Sequence, residues 1–183
     1  YISTDICYAI EDEDKICCML FTVPCNITID GEVKKGHYIY GACTMPEYRH
    51  RGLMHRLIDY ANKQSTEKGD EFSVLLPASK ALYDFYGDMG YRALLTAQNE
   101  LITTDSLPDL HSDVAYKNEV SIREMDKLRK KLCSKYSGSA IYNKEVLSYA
   151  VSYAKECKGG AVQCEAGYII YAYDDSKLIV MEL

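Results

Sequence analysis

From Tyr40 to Asp59 the sequence reads Y-G-A-C-T-M-P-E-Y-R-H-R-G-L-M-H-R-L-I-D, and this run restricts the fold more than any other. Its period changes partway. Tyr38, Ile39 and Tyr40 are aromatic or β-branched, which suits a pleated strand, and Pro46 removes a ladder donor and ends it. From Gly52 the pattern becomes helical: Leu53, Met54, Leu57, Ile58 and Ala61 fall on one face, with Arg56, Asp59, Asn62 and Lys63 on the other. Between the two lies Arg49-His50-Arg51-Gly52, a basic turn feeding a helix N-terminus.

Such a turn has a physical use. The first turn of a helix leaves backbone N–H groups unpaired, and its dipole carries about half a positive charge there. Gly52 lets a ligand approach the main chain, and Arg49 and Arg51 add full positive charge. The arrangement describes a cradle for a phosphate or pyrophosphate. A solvated basic turn between strand and helix is the alternative that the spacing leaves open.

A second motif follows at Leu82-Tyr83-Asp84-Phe85-Tyr86-Gly87-Asp88-Met89-Gly90-Tyr91. Taken together, the two resemble the GNAT acyltransferase superfamily. Arg49-x-x-Gly52-x-Met54 resembles its R/Q-x-x-G-x-G/A acyl-CoA loop, with Met54 in place of the usual small residue. Thr44-Met45-Pro46-Glu47-Tyr48 resembles the lead-in from its central strand. Tyr86, four residues before Gly90, resembles the tyrosine of Y-x-x-x-G-F/Y, which that family places beside the sulfur of acetyl-CoA. The Tyr-Gly-x-x-Gly-Tyr form is also similar to the "enhanced intracellular survival" aminoglycoside acetyltransferases, a multi-domain GNAT branch.

The resemblance covers residues 1 to about 103 and implies a GNAT fold, an α/β (α+β) class with a central mixed sheet flanked by helices. It implies acetyl-CoA as co-substrate and direct transfer of the acetyl group to a primary amine of a small molecule or peptide. The backbone of His50, Arg51, Gly52, Leu53 and Met54 would hold the phosphates, with Arg49 in support and His55 one turn further on. Ala42, Cys43 and Thr44 would pair with the pantetheine arm, and their N–H groups would polarise the thioester carbonyl. Tyr86 would donate a proton to the leaving thiolate, because a phenol stays protonated at neutral pH. His37, Glu47 and the Asp12/Asp14 turn are all chemically able to serve as base, and the sequence selects none of them. A non-catalytic GNAT-like module that binds CoA or a protein partner is the competing reading.

The rest of the chain is read from its own pattern. Ile6–Glu11 and Lys15–Val23 read as strands around the acidic turn Glu11-Asp12-Glu13-Asp14, and Pro24 marks a bend or edge. Ile27–Ile29, the turn Asp30-Gly31 and His37–Thr44 extend this into an antiparallel meander. The helix from Gly52 stops at Lys68-Gly69, and Phe72–Leu76 forms a short strand. Ser79 caps a helix that buries Leu82, Phe85 and Met89, and Arg92–Thr103 reads as a further strand. Thr104–Asn118 has no periodicity and reads as a linker.

Beyond the linker, residues 119–183 read as a partial second GNAT-like unit without a phosphate loop. Val120–Arg123 reads as a strand, and Leu128, Leu132, Cys133 and Tyr136 share one helix face. Val146, Leu147, Ala150, Val151 and Ala154 mark a second helix ended by Gly159-Gly160, and Tyr168–Tyr173 and Leu178–Leu183 form a hairpin. The first unit begins at its meander, without the strand and two helices that open a complete GNAT unit. Either the chain is a piece of a longer tandem protein, which the apolar strand Leu178–Leu183 without a polar tail favours, or the later segment partly closes the first unit.

Composition sets outer limits. The chain has 183 residues, 48% hydrophobic and 26% charged, enough apolar material for one domain or two small ones. A formal net charge of −6 argues against nucleic acid as partner and is compatible with a cationic amine substrate. No apolar run reaches the roughly 18 residues that would argue for a membrane span, so no membrane association is expected and the cytoplasm is the default location. The eight cysteines contain no C-x-x-C pair and no histidine at a zinc-like spacing, so reduced structural thiols and no metal are expected. The oligomeric state stays open, a homo-oligomer included.

Overall fold

The computed structural model describes residues 6–95, 115–165, 167–175 and 177–182. One compact unit holds the described residues through Leu94 together with Tyr136–Ile141, and another holds those of Leu95–Lys135 and Tyr142–Leu183.

The first unit is built on a hairpin that becomes a meander. Strands β1 (Cys7–Asp12) and β2 (Lys15–Ile29) pair antiparallel, and Glu13 and Asp14 between them both take positive φ. Paired positive φ values are what a two-residue turn needs to match strand twist. Asp30 and Gly31 turn β2 into β3 (Glu32–Thr44) in the same way, with φ of 51° and 82°. The sequence divides Lys15–Val23 from Ile27–Ile29, yet β2 runs unbroken through both. Pro24 is tolerated because β1 pairing has already ended, its last partners being Cys7 and Phe21. Towards the other end of β2 a fifth strand, Ser139–Tyr142, pairs with it. The Ser137-Gly138-Ser139 stretch therefore leads into sheet: Gly138 N–H donates to Thr28 O.

The β2–β3 ladder is interrupted once. Met19 faces Cys43 but Phe21 faces Tyr40, so Leu20 opposes both Gly41 and Ala42 in a β-bulge. Gly41 carries φ of 61°, and an added Cβ there would lie 3.3 Å from the Phe21 ring. After β3 come a single 3-10 turn (Pro46–Tyr48) and helix α1 (Leu53–Glu67), as the change of period predicts. The strand β4 (Phe72–Val74) is shorter than expected and lies parallel to β3.

Helix α2 (Ala81–Asp88) differs from expectation at its start and on its inner face. Lys80 is the N-cap, and Ser79 contributes its backbone carbonyl to Leu82 N–H instead of a side-chain cap. Phe85 is 39% exposed while its neighbour Tyr86 turns inward, because Tyr86 and Met89 are the residues that meet the core. That core comprises Cys18, Leu20, Ile39, Leu57, Ile58 and Ala61 between β2, β3 and α1. After α2, Tyr91 to Leu95 is not strand; residues 96–103 of the strand expected over Arg92–Thr103 lie outside the described residues. So does most of the expected linker, although Lys117 at its end forms an antiparallel bridge with Gln163.

The second unit has helices α3 (Ile122–Cys133) and α4 (Lys144–Glu156), then an antiparallel sheet. Numbering the Ser139–Tyr142 strand β5, this sheet is β6 (Gly160–Gln163), β7 (Tyr168–Asp174) and β8 (Lys177–Glu182). Val120–Arg123 is not a strand. Ser121 caps α3 by accepting from Glu124 N–H, as half of a capping box. The buried helix stripe is also set differently from expectation: Met125 is buried and Leu128 packs on the core, whereas Leu132 and Tyr136 are exposed. Asn143 caps α4 through Val146 N–H, and Leu147, Val151 and Ala154 join Ala161, Tyr168 and Ile170 in the core.

The bulge supplies a test of this description. Gly41→Ala forces a Cβ into the left-handed region beside Phe21, and should cost about 1–2 kcal/mol. Gly41→Asn should cost less, because asparagine tolerates that backbone. Urea unfolding of the two variants compares them directly, and a neutral Gly41→Ala would argue against the bulge.

Candidate functional site

Parallel pairing between β3 and β4 involves Gly36 with Phe72, His37 with Ser73 and Tyr38 with Val74, and then stops. From Ile39 to Thr44, β3 has no strand partner on that side among the described residues. Beyond Tyr38 and Val74, β3 and β4 part. Ala42, Leu53, Met54, Leu75, Tyr86 and Met89 all pack against the same buried cluster. Ala42 near the strand end, Leu53 and Met54 at the start of α1 and Tyr86 of α2, distant in sequence, thus share one core cluster.

The basic turn is shaped by its own hydrogen bonds. Tyr48 N–H donates to Met45 O and Arg49 N–H to Pro46 O, which closes the 3-10 turn. Next, His50 and Gly52 take φ of 60° and 70°, and the first bond of α1 is donated by Arg56 to Gly52 O. Among the described residues the N–H groups of His50, Arg51, Gly52, Leu53, Met54 and His55 have no protein acceptor, and α1 has no side-chain cap. A Cβ built on Gly52 meets nothing within 4 Å, so the turn borders open space. Arg49 Nε donates to Thr44 O at 3.1 Å and Arg51 donates to Glu47 O at 2.8 Å, so both guanidiniums fold back over the turn. Arg51 also lies over the Tyr48 ring, 5.0 Å from its centre. His55 is exposed and faces Asp59 at 3.5 Å.

Cys43 is exposed on β3, while the Thr44 hydroxyl donates to Cys18 Sγ at 3.3 Å. Burial pushes the Cys18 thiol up, more than the Thr44 hydrogen bond lowers it. Cys18 is therefore a packing residue and a poor nucleophile. Among the described residues no group of three or more His, Cys, Asp or Glu side chains could hold a metal. Nor is any described helix long and apolar enough to cross a membrane.

Tyr86 is half-buried, with its ring edge-on to Phe85 at 5.2 Å and to Tyr91 at 6.0 Å. Burial pushes its phenol up, and the neighbouring Tyr91 and Tyr38 phenols act in the same direction. Tyr38 went unnoticed in the sequence except as a strand aromatic. It stands at the last β3–β4 pair, its phenol also raised by burial, with a hydrogen bond to the Leu76 backbone acting the other way. Nothing in its local pattern marks it out.

The basic candidates are placed as follows. His37 is buried, with Nδ1 2.9 Å from Asp70 Oδ2 and Nε2 3.0 Å from Asn62 Oδ1, so both ring nitrogens are engaged inside the protein. Asp12 accepts from the Tyr48 hydroxyl, which raises that phenol and ties the acidic turn to the 3-10 turn. Glu47 and Asp14 are exposed.

The site's electrostatics can be tested directly. A raised Tyr86 phenol should ionise at higher pH than an ordinary tyrosine. In a phenolate absorbance titration, Tyr86→Phe should remove a component that ionises late. Loss of a component ionising at or below the ordinary value would contradict the burial.

Comparison with known proteins gives consistent results. Residues 1–94 match the family described as the acetyltransferase (GNAT) domain. No curated protein matches. Among solved structures, a GCN5-related N-acetyltransferase from Kribbella flavida superposes with a TM-score of 0.72 at 18% identity, covering 97% of this chain and 45% of that one. Eis1 from Mycobacterium abscessus gives 0.70 at 11%, covering 99% and 51%. A probable N-acyltransferase from Enterococcus faecalis V583 gives 0.69 at 18%, covering 96% and 46%. At these identities the likeness is one of fold, and the chain spans about half the length of these structures.

Proposed function

The chain belongs to the GNAT acetyltransferase family, and we propose that its first unit binds acetyl-CoA where β3 and β4 part and transfers the acetyl group directly to a primary amine. What supports this reading is that an unpaired strand edge, six unpartnered amides and a protonated phenol belong to elements that pack on one core cluster.

Each group answers one need of the reaction. The N–H groups of His50 to His55 face the phosphates, with the helix dipole and the charges of Arg49 and Arg51 in support. Ala42, Cys43 and Thr44 present the edge along which the pantetheine arm lies and polarise the thioester carbonyl. The neutral amine attacks the carbonyl carbon, a C–N bond forms and the C–S bond breaks. Tyr86 gives its proton to the departing thiolate, and the nitrogen's extra proton leaves to solvent. A raised phenol suits this role, since it is fully protonated throughout the neutral range and regains its proton after each cycle. The inert Cys18 thiol favours direct transfer over an acyl-enzyme on that residue. The acceptor class is a small-molecule or peptide amine, and the chain's position within a longer tandem GNAT protein is part of the same proposal.

Turnover is tested by following free CoA thiol from acetyl-CoA across polyamines, aminoglycosides and peptide N-termini. Binding without release for any amine would favour a non-catalytic module. Gly52→Asp should abolish acetyl-CoA binding in calorimetry, because the new carboxylate meets the pyrophosphate and the residue is strained at positive φ. Unchanged affinity in the folded variant would sink the assignment. Tyr86→Phe keeps the ring and should lower kcat by about 10²–10⁴-fold with little effect on cofactor affinity.

A further inference from the structure

The polar groups around His37 form a continuous chain that the reaction above does not use. Asp70 accepts from His37 Nδ1–H, and His37 Nε2 meets Asn62 Oδ1. Asn62 Nδ2 donates to the Tyr91 hydroxyl at 3.2 Å, and Tyr91 shares a 2.6 Å hydrogen bond with the Ser73 hydroxyl. His37 is 3% exposed, and the Asp70 side chain 12%. The chain thus ties together β3, α1, β4 and the residue that follows α2. It ends on Tyr91, whose N–H donates to Tyr86 O at 3.1 Å and whose ring meets the Tyr86 ring edge-on.

Helix α2 needs such an anchor. It has eight residues, no side-chain cap and no fully buried residue, so it has little stability or orientation of its own. Apolar packing of Tyr86 and Met89 holds it to the core, but that packing is not directional. Two hydrogen bonds on the Tyr91 hydroxyl are directional, and their partners sit on rigid elements. The GNAT motif accepts Phe or Tyr at this position, so the hydroxyl is a feature of this chain and not a demand of the motif.

We infer that Tyr91 is a positioning residue for Tyr86, its hydroxyl locking the turn after α2 to Asn62 and Ser73 so that the Tyr86 phenol is aimed at the leaving sulfur. The inference rests on the proposed role of Tyr86.

The experiment is a double-mutant cycle on the full chain, with acetyl-CoA and whichever panel amine gives the fastest thiol release. Tyr91→Phe keeps the ring and removes only the hydroxyl. It should lower kcat about 10- to 100-fold, as small misplacements of a reacting group do, with acetyl-CoA affinity unchanged by calorimetry. In a Tyr86→Phe background the same change should have no further effect, since the residue being positioned is already disabled. Ser73→Ala, a milder cut in the same chain, should give a smaller loss that also vanishes in that background. Full activity in Tyr91→Phe alongside a slow Tyr86→Phe overturns the positioning role alone. Equal losses from Tyr91→Phe in both backgrounds overturn it too, because the hydroxyl would then act independently of Tyr86. Full activity in Tyr86→Phe overturns the donor role and this inference with it, and so does a parent protein that releases no thiol with any amine.

Discussion

The β3–β4 ladder closes at Tyr38 and Val74 and goes no further, and the geometry of the first unit depends on that stop. Parallel strands need a crossover, and α1 supplies it by starting just beyond the C-terminal end of β3. Had the ladder continued, Leu75 and the residues after it would have covered the strand edge and crowded the start of α1. Because it stops, Ile39 to Thr44 of β3 have no strand partner on that side among the described residues. Ala42 of that stretch packs on the same core as Leu53 and Met54 at the start of α1. Ligands of open α/β sheets lie beyond the carboxyl ends of parallel strands for this reason. The bulge at Gly41 and Ala42 assists, since the extra residue shifts the register of the strand end relative to β2.

What the sequence made legible was local. The change from strand to helix period at Gly52, the two acidic or Asp-Gly turns, and the second-unit hairpin all depend on neighbours within a few residues, and all were found. Errors came where tertiary context decides. Val120–Arg123 looked like a strand because Val120 and Ile122 are β-branched, but Ser121 and Glu124 are spaced as a cap, a signal that was present and missed. Phe85 was placed inward from helical spacing alone, and packing chose Tyr86 instead. Pro24, read as a bend or edge, lies within β2 beyond the end of the β1 ladder, and what the sequence could not show is that β2 runs on unbroken through it.

The polar chain around His37 was not legible at all. His37, Asn62 and Ser73 come from three separate elements and Asp70 and Tyr91 from the segments after α1 and α2, and no periodicity connects them. His37 drew attention as a candidate base only because of its residue type. Its burial and its two engaged nitrogens change the meaning of the residue: a group already hydrogen-bonded on both sides holds structure more readily than it takes a substrate's proton. A satisfied polar network of this kind adds directional constraints to a core whose apolar contacts supply few.

Charge at the basic turn runs against the charge of the whole chain. The formal net charge is −6, yet two arginines flank the α1 N-terminus, and among the described residues neither forms a salt bridge. Each is held by a main-chain oxygen, Thr44 O for Arg49 and Glu47 O for Arg51, and a carbonyl positions a guanidinium without cancelling its charge. The nearest acidic element is kept occupied as well, because Asp12 accepts from the Tyr48 hydroxyl while Arg51 stacks on the ring. A guanidinium has five N–H donors, so one bond fixes its place and leaves most of its edge unspent. The turn therefore combines orphan amides, a helix dipole and two oriented cations, which is a stronger claim for an anionic ligand than any one of them would make.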